Sequence, residues 1–148
     1  MIDLVDKKLV ELLEKDASQT SRSLAENLGV DSSTIRRRVN KLIKEDIIRI
    51  SAVPDTDKIG FHFVAVIAFD VEHENLEPIL DYLSKFQEVK WLSSTTGRFD
   101  AMAIVWFASS SEYYNFVQKE LAKLEGIKDI ETFICLQVKK KRGMLTGK

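Results

Sequence analysis

The sequence predicts an α+β fold of two domains within 148 residues, a three-helix domain followed by a domain of order βαββαβ. Two observations carry this prediction. Apolar residues recur at helical spacing up to residue 60, and from residue 61 onward apolar runs of strand length alternate with helical segments. We expect residues 1–53 to form the first domain, residues 54–60 a linker and residues 61–148 the second domain.

Side chains suited to helix capping mark the start of each predicted N-terminal helix. Asp3, Thr20 and Asp31 each precede an apolar stripe and can accept hydrogen bonds from the free N–H groups of a first helical turn. Gly29 follows the second stripe, where a left-handed residue typically ends a helix. The third helix is expected to end near Asp46. Its predicted inner face consists of Ile35, Val39, Leu42 and Ile43.

The second domain is expected to form a four-stranded antiparallel sheet of ferredoxin-like order, with both helices on one face. Ser109 with Glu112 is a start signal for the second of these helices. The first and third strands are continuously apolar, as expected for central strands buried on both faces. The predicted strands are 61–71, 89–96, 99–107 and 130–138, and the predicted helices are 76–86 and 112–124.

Two helices can cover only one face of this sheet. We expect a second copy of the same sheet to cover the other face, which predicts a homodimer. The alternative is that the N-terminal domain folds back over that face. Side chains at strand positions are expected to fill the interior, and the notable ones are Trp91, Trp106, Phe107 and Cys135.

The third helix concentrates positive charge, although the whole chain has a net charge of −1. Between residues 32 and 44 there are five basic residues and no acidic one. Two helices, a glycine turn, a basic helix and a β-prone run over 47–53 describe a winged helix-turn-helix, whose third helix enters the major groove of DNA. The alternative is a solvated basic face without a ligand.

Projection of this helix separates its side chains by expected role. Those at its N-terminal end suit base edges, and the cations further along suit phosphates. Arg38 flanks the apolar stripe and is expected to pair with an acidic neighbour in its own domain. The predicted base-edge residues are Ser32, Ser33, Thr34 and Arg37, the predicted phosphate contacts are Arg36, Lys41 and Lys44, and Asn40 shares the outer face.

The sequence argues against several other classes of protein. No apolar run approaches the ~20 residues of a membrane span, and the single cysteine fits a reducing compartment, so we expect a cytoplasmic protein without a membrane partner. His62 and His73 do not have metal-ligand spacing, and phosphate-loop, nucleophile-elbow and Cys-x-x-Cys patterns are missing. We therefore expect no enzyme, catalytic residue, metal or cofactor.

A set of short motifs runs along nearly the whole chain. It consists of Asp3 to Asp6 with Leu12-Leu13, Leu24 to Val30, Ser33 to Ile35, Arg38-Val39, Ile47-Ile48, Ile59-Gly60, Gly97 to Asp100, Gly126-Ile127 and Thr132. In this order, and joined to a βαββαβ domain, these motifs resemble the Lrp/AsnC family of leucine-responsive, or feast/famine, regulators. The resemblance implies a RAM/ACT-like second domain and dimers formed through its sheet, often assembled into tetramers or octamers, that bind partly palindromic promoter DNA. It also implies effectors that are typically amino acids.

The resemblance implies an effector site between dimers at one loop of the second domain. There Gly97 allows close backbone approach, and Asp100 could take a ligand ammonium or cap the loop. Arg98 departs from the acidic or small residue common in relatives, which favours an anionic effector over a neutral amino acid. The loop consists of Thr96, Gly97, Arg98, Phe99 and Asp100.

Three further alternatives remain open from the sequence. The loop can be a hairpin turn without a ligand, since Gly and Asp are ordinary turn residues. A few relatives of this two-domain shape act on tetrapyrroles, which is the enzyme alternative. The third is a metabolite-binding protein whose helical domain no longer binds DNA.

Overall fold

The computed structural model describes residues 2–137 and divides the chain into two compact units, one up to Ala52 and one from Val53. The α+β fold class predicted from the sequence is confirmed.

Three helices form the first unit, namely α1 (Leu4–Lys15), α2 (Ser21–Leu28) and α3 (Ser32–Lys44). The predicted caps are confirmed, because the side chains of Asp3, Thr20 and Asp31 each accept a backbone N–H of the helix that follows. Gly29 is left-handed, with φ 66°. The core of the unit contains Leu9, Leu24, Ala25, Ile35 and Leu42.

One expectation for the first unit is wrong, and one β-prone run forms no strand. Ile43 was placed on the inner face of α3 but is 41% exposed, because at 100° per residue it lies at the margin of the stripe centred on Ile35 and Leu42. The run 47–53 belongs to no strand of the described structure. A strand needs a neighbouring backbone to pair with, and the four described strands all belong to the second unit.

The second unit is a four-stranded antiparallel sheet with the order β2-β3-β1-β4. This is the predicted ferredoxin-like order, with the first and third strands in the centre. Its strands are β1 (Phe63–Val71), β2 (Val89–Ser94), β3 (Ala101–Phe107) and β4 (Ile127–Ile134), and its helices are α4 (Leu76–Leu83) and α5 (Ser110–Phe116), the latter continued by a wider turn over Val117–Leu121.

The boundaries of these elements differ from the prediction by a few residues. The strand expected over 130–138 begins at Ile127, because Gly126, with φ 86°, turns the chain directly into β4. Cys135 was expected in the interior but is exposed, since it follows the last residue of β4. The predicted end of that strand, Val138, lies outside the described residues.

The core of the second unit lies between the sheet and its helices, and the opposite face of the sheet is apolar as well. On that face the strand register places Trp91, Ile104, Val66 and Phe133 in one row that crosses all four strands. Phe133 is 50% exposed, and the other three are half-buried. We call this set the open-face row.

Candidate nucleic-acid interface and effector loop

The outer face of α3 presents cations that have no partner in the described part of the chain. Arg36, Arg37, Lys41 and Lys44 are exposed, and none of them forms a salt bridge with a described residue. Unpaired charge on one face of a helix is free to attract a polyanion. Asn40 and Ser33 are also exposed, whereas Ser32 and Thr34 are half-buried.

Arg38 behaves differently from its neighbours, as the sequence predicts. Its Nη1 lies 2.7 Å from Asp6 Oδ1 and 2.7 Å from Asp3 Oδ2, so it ties α3 to the start of α1. Hydrogen bonding to these two carboxylates raises the pKa of the guanidinium further. Arg38 is therefore a structural cation and contributes little to the free charge of α3.

A hydrogen-bond network surrounds Asp31 at the start of α3. The Ser33 hydroxyl donates to Asp31 Oδ1 over 2.5 Å, the Thr34 hydroxyl donates to Oδ2 over 2.6 Å, and the Thr34 N–H donates to Oδ1 over 2.8 Å. These bonds, first of all that from Ser33, hold the pKa of Asp31 well below its usual range. The helix cap at Asp31 was predicted, but its hydrogen bonds with the hydroxyls of Ser33 and Thr34, two expected base-contacting residues, were not. The sequence Asp-Ser-Ser-Thr could have indicated them, because Ser and Thr side chains bond readily to a nearby capping carboxylate.

The predicted effector loop is held by Asp100. Its Oδ2 accepts the Val71 N–H over 2.9 Å, and its own N–H donates to the Phe69 carbonyl over 2.9 Å. Phe99 is buried at 9% exposure, and its carbonyl accepts the Thr95 hydroxyl over 2.7 Å. In the described chain, Asp100 and Phe99 therefore shape the loop.

The exposed part of the loop consists of Thr96, Gly97 and Arg98. Gly97 has φ 120°, a backbone conformation that favours glycine. Arg98 Nη2 lies 2.5 Å from Glu131 Oε1 on β4, with the guanidinium carbon 5.1 Å from the centre of the Phe99 ring. Glu131 could not be predicted from the sequence, since pairing of the loop with β4 depends on the register of the sheet.

The first unit has three helices, and four cations of the third helix form no salt bridge with a described residue. The second unit has the order βαββαβ and a loop held in shape by Asp100. This is the arrangement of a two-domain transcription regulator. Models of known families agree with this class. The Lrp/AsnC ligand-binding domain matches residues 64–145, and a winged helix-turn-helix DNA-binding domain matches residues 2–49. The chain belongs to the Lrp/AsnC family of transcription regulators.

Similar proteins cover nearly the whole chain. An uncharacterized HTH-type transcriptional regulator of Pyrococcus furiosus is 38% identical over 141 residues, which cover 95% of this chain and 95% of the relative. A similarly described regulator of Pyrococcus horikoshii is 35% identical over 140 residues, covering 94% and 89% respectively. Among solved structures, AsnC of E. coli has a TM-score of 0.82 at 24% identity, covering 97% of this chain and 98% of its own.

Another solved structure with the same fold is a regulator of Neisseria meningitidis in complex with L-Met. It has a TM-score of 0.85 at 21% identity, covering 96% of this chain and 94% of its own. Among the residues the structure describes, no helix is long and apolar enough to cross a membrane. Between residues 2 and 137 no group of three or more His, Cys, Asp or Glu side chains is arranged to hold a metal ion.

Proposed function

We propose that the protein binds partly palindromic promoter DNA through the outer face of α3, with residues 1–53 as the DNA-binding domain. The observation that carries this proposal is the contrast within one helix: among residues 2–137, Arg38 pairs with two carboxylates, whereas Arg36, Arg37, Lys41 and Lys44 form no salt bridge. Four exposed cations on one helix face can attract the phosphates of DNA. Ser32, Ser33, Thr34 and Asn40 complete the proposed contact face.

Selection of bound duplexes from a random DNA pool, using the full chain, tests this proposal. We expect an enriched sequence with two related half-sites, whose spacing reports the arrangement of subunits. The logarithm of the affinity should fall with the logarithm of salt concentration, by about 0.9 per phosphate contact. A flat salt response with no enrichment would instead support a metabolite-binding protein whose helical domain does not bind DNA.

We also propose that the open-face row pairs two subunits, and that the dimers assemble further into tetramers or octamers. The row is apolar on all four strands, and contiguous apolar surface on an uncovered sheet face is a feature of interaction sites. Sedimentation of Val66→Glu tests the pairing, because the new carboxylate would be buried against a second sheet. We expect monomers, while Tyr114→Glu, at a residue 62% exposed on α5, should leave the dimer intact.

The effector loop is proposed to bind an amino acid between dimers. The support is the pair formed by Arg98 and Glu131, which offers a cation to a carboxylate and an anion to an ammonium group. Because the Glu131 carboxylate pairs with the Arg98 guanidinium, the charge of Arg98 no longer favours an anionic effector over a neutral amino acid. The regulator of Neisseria meningitidis, whose structure contains L-Met, has the same fold. Thr96 and the Gly97 backbone complete the proposed contacts, while Phe99 and Asp100 hold the loop in shape.

Thermal-shift measurements with the common amino acids and keto acids test the effector proposal. We expect at least one compound to raise the melting temperature of the wild type but not of Arg98→Ala. No shift with any compound would leave the loop as a hairpin turn. We further propose a cytoplasmic regulator without enzymatic activity, and a spectral change on adding haem-like compounds would contradict this.

A further inference from the structure

We propose that Ser33 and Thr34 act toward DNA only as hydrogen-bond acceptors, so that the bases they contact are selected for an exocyclic amino group, that of adenine or cytosine. The inference rests on the proposed DNA-binding role of α3. It adds the base chemistry that the N-terminal end of the helix recognises. The site itself is proposed from the cations of α3 that have no partner among the described residues and from the match to a helix-turn-helix domain, independently of the helix start.

The direction of the hydrogen bonds around Asp31 carries this inference. An ionised carboxylate has no proton to donate, so the Ser33 and Thr34 hydroxyls are the donors in their bonds of 2.5 and 2.6 Å to Asp31. The Thr34 N–H also donates to Asp31, over 2.8 Å. The pKa of Asp31 lies well below its usual range, so the carboxylate stays ionised at neutral pH.

A hydroxyl group has one proton and two lone pairs. Once the proton is committed to Asp31, Ser33 and Thr34 have only lone pairs left for a base. In the major groove, adenine N6 and cytosine N4 donate hydrogen bonds, whereas guanine O6 and N7 and thymine O4 only accept. In a contact with guanine or thymine, the hydroxyl oxygen of Ser33 or Thr34 would face another acceptor atom with no proton between them. Supplying that proton would require breaking a charge-assisted hydrogen bond to Asp31.

Two neighbouring residues of α3 differ from Ser33 and Thr34 in hydrogen-bonding capacity: one can only donate, and the other can donate or accept. Arg37 carries only donors and therefore suits the acceptors of guanine. The Ser32 side chain makes no hydrogen bond within residues 2–137, so its hydroxyl can donate or accept. The start of α3 is thus expected to read amino groups at Ser33 and Thr34 and acceptor atoms at Arg37.

The test begins with selection of duplexes by the wild type and by Thr34→Val, which keeps the shape of the side chain and removes its hydroxyl. The base position whose preference changes is the one that Thr34 contacts, and we expect adenine or cytosine there in the wild type. Replacing that base with purine or 2-pyrimidinone, which lack the amino group, should weaken binding about tenfold.

Asp31→Asn is then expected to free the proton of one hydroxyl, that of Thr34. Asparagine still caps the helix, because its carbonyl oxygen can accept the Thr34 N–H. Its amide N–H group donates to the Thr34 hydroxyl, whose own proton becomes free to donate to DNA. We expect guanine or thymine to become acceptable at the Thr34 position. The matched control is Asp16→Asn, because Asp16 accepts the Ser18 hydroxyl over 2.6 Å outside α3; its selected sequence should equal that of the wild type.

Each result decides the inference. It is overturned if the wild type selects guanine or thymine at the Thr34 position, or if Thr34→Val changes no position. An unchanged base preference in Asp31→Asn also overturns the inference. Tighter binding of Asp31→Asn to all sequences would not rescue it, because uniform tightening reports only the loss of a negative charge. If the wild type binds no duplex even at low salt, the proposed DNA-binding function fails instead. Circular dichroism of each variant verifies that the helices are folded.

Discussion

Arg38 joins the middle of α3 to Asp6 on α1, with 2.7 Å between Nη1 and Oδ1. The Asp6 side chain is only 4% exposed and that of Arg38 is 25% exposed. The same nitrogen also contacts Asp3, which caps α1. The helix proposed to enter DNA is therefore fixed to the first helix of its domain by an ion pair, in addition to apolar packing.

The first prediction concerns this ion pair. Arg38→Met should lower the free energy of unfolding, because it leaves the Asp6 carboxylate buried without its partner. Urea unfolding followed by circular dichroism measures the change. Arg36→Met is the matched control on the same helix, where a change within about 0.5 kcal/mol is expected for an exposed residue. Equal effects of the two substitutions would contradict a structural role for Arg38.

The second prediction concerns acid. A backbone N–H of α1, followed by Arg38, lowers the pKa of Asp3, and hydrogen bonds from Ser18 lower that of Asp16. Hydrogen bonds from Ser33 and Thr34 lower the pKa of Asp31. Because each folded pKa lies below the ordinary value of 3.8, the stabilisation is fully present above that pH and is lost as the pH falls below it.

We therefore expect the urea midpoint of the helical signal to stay constant from neutral pH to about 5 and to fall below about 4. Both tryptophans, Trp91 and Trp106, belong to the second unit, so their fluorescence does not report on the first. Circular dichroism is used instead, because the three helices of the first unit contribute the larger share of the helical residues. Asp31→Asn should reduce the acid dependence. A midpoint that does not change with pH would contradict the prediction.

The third prediction separates the two kinds of DNA contact proposed for α3. Arg37→Ala should cost about 1 to 3 kcal/mol at a specific site and relax sequence choice, because a base contact is lost. Lys41→Ala should weaken binding to all sequences alike and reduce the salt slope by about 1, because a phosphate contact is lost. Titrations of specific and random duplexes measure both effects. Equal losses from the two substitutions on both duplexes would refute this assignment of roles.

The fourth prediction distinguishes loop shape from ligand contact. Asp100→Ala should lower the melting temperature without any ligand, because the Val71 N–H loses its acceptor. Arg98→Ala should change stability by less than about 1 kcal/mol, since the Arg98 side chain is 75% exposed in its ion pair, and should abolish the effector response. If Arg98→Ala destabilised the protein as much as Asp100→Ala, the ion pair would be structural.

Features that depend on local chemistry could be predicted from the sequence. The caps at Asp3, Thr20, Asp31 and Ser109 are all confirmed, because each requires only a short polar side chain and the free N–H groups of the next turn. The third helix was expected to end near Asp46; α3 ends at Lys44, and Asp46 has a left-handed φ of 53°. The central position of the first and third strands also followed from their apolar residues on both faces.

Features that depend on distant residues were missed. Glu131 lies 33 residues after Arg98 in the chain, and only the pairing of β4 with β1 brings it to the loop. The run 47–53 has a β-prone composition, but strand formation depends on a partner backbone that composition does not supply. Ile43 was misplaced because a residue at the margin of an apolar stripe is covered only if a neighbouring element reaches it.

The hydrogen bonds of Asp100 have a mechanical consequence. They connect the loop to Phe69 and Val71 at the end of β1, a strand bonded along both of its edges. The same strand carries Val66 in the middle of the open-face row. Because this strand is hydrogen-bonded along both edges, the loop proposed to bind an effector and the row proposed to pair subunits are joined by one continuous and supported stretch of backbone.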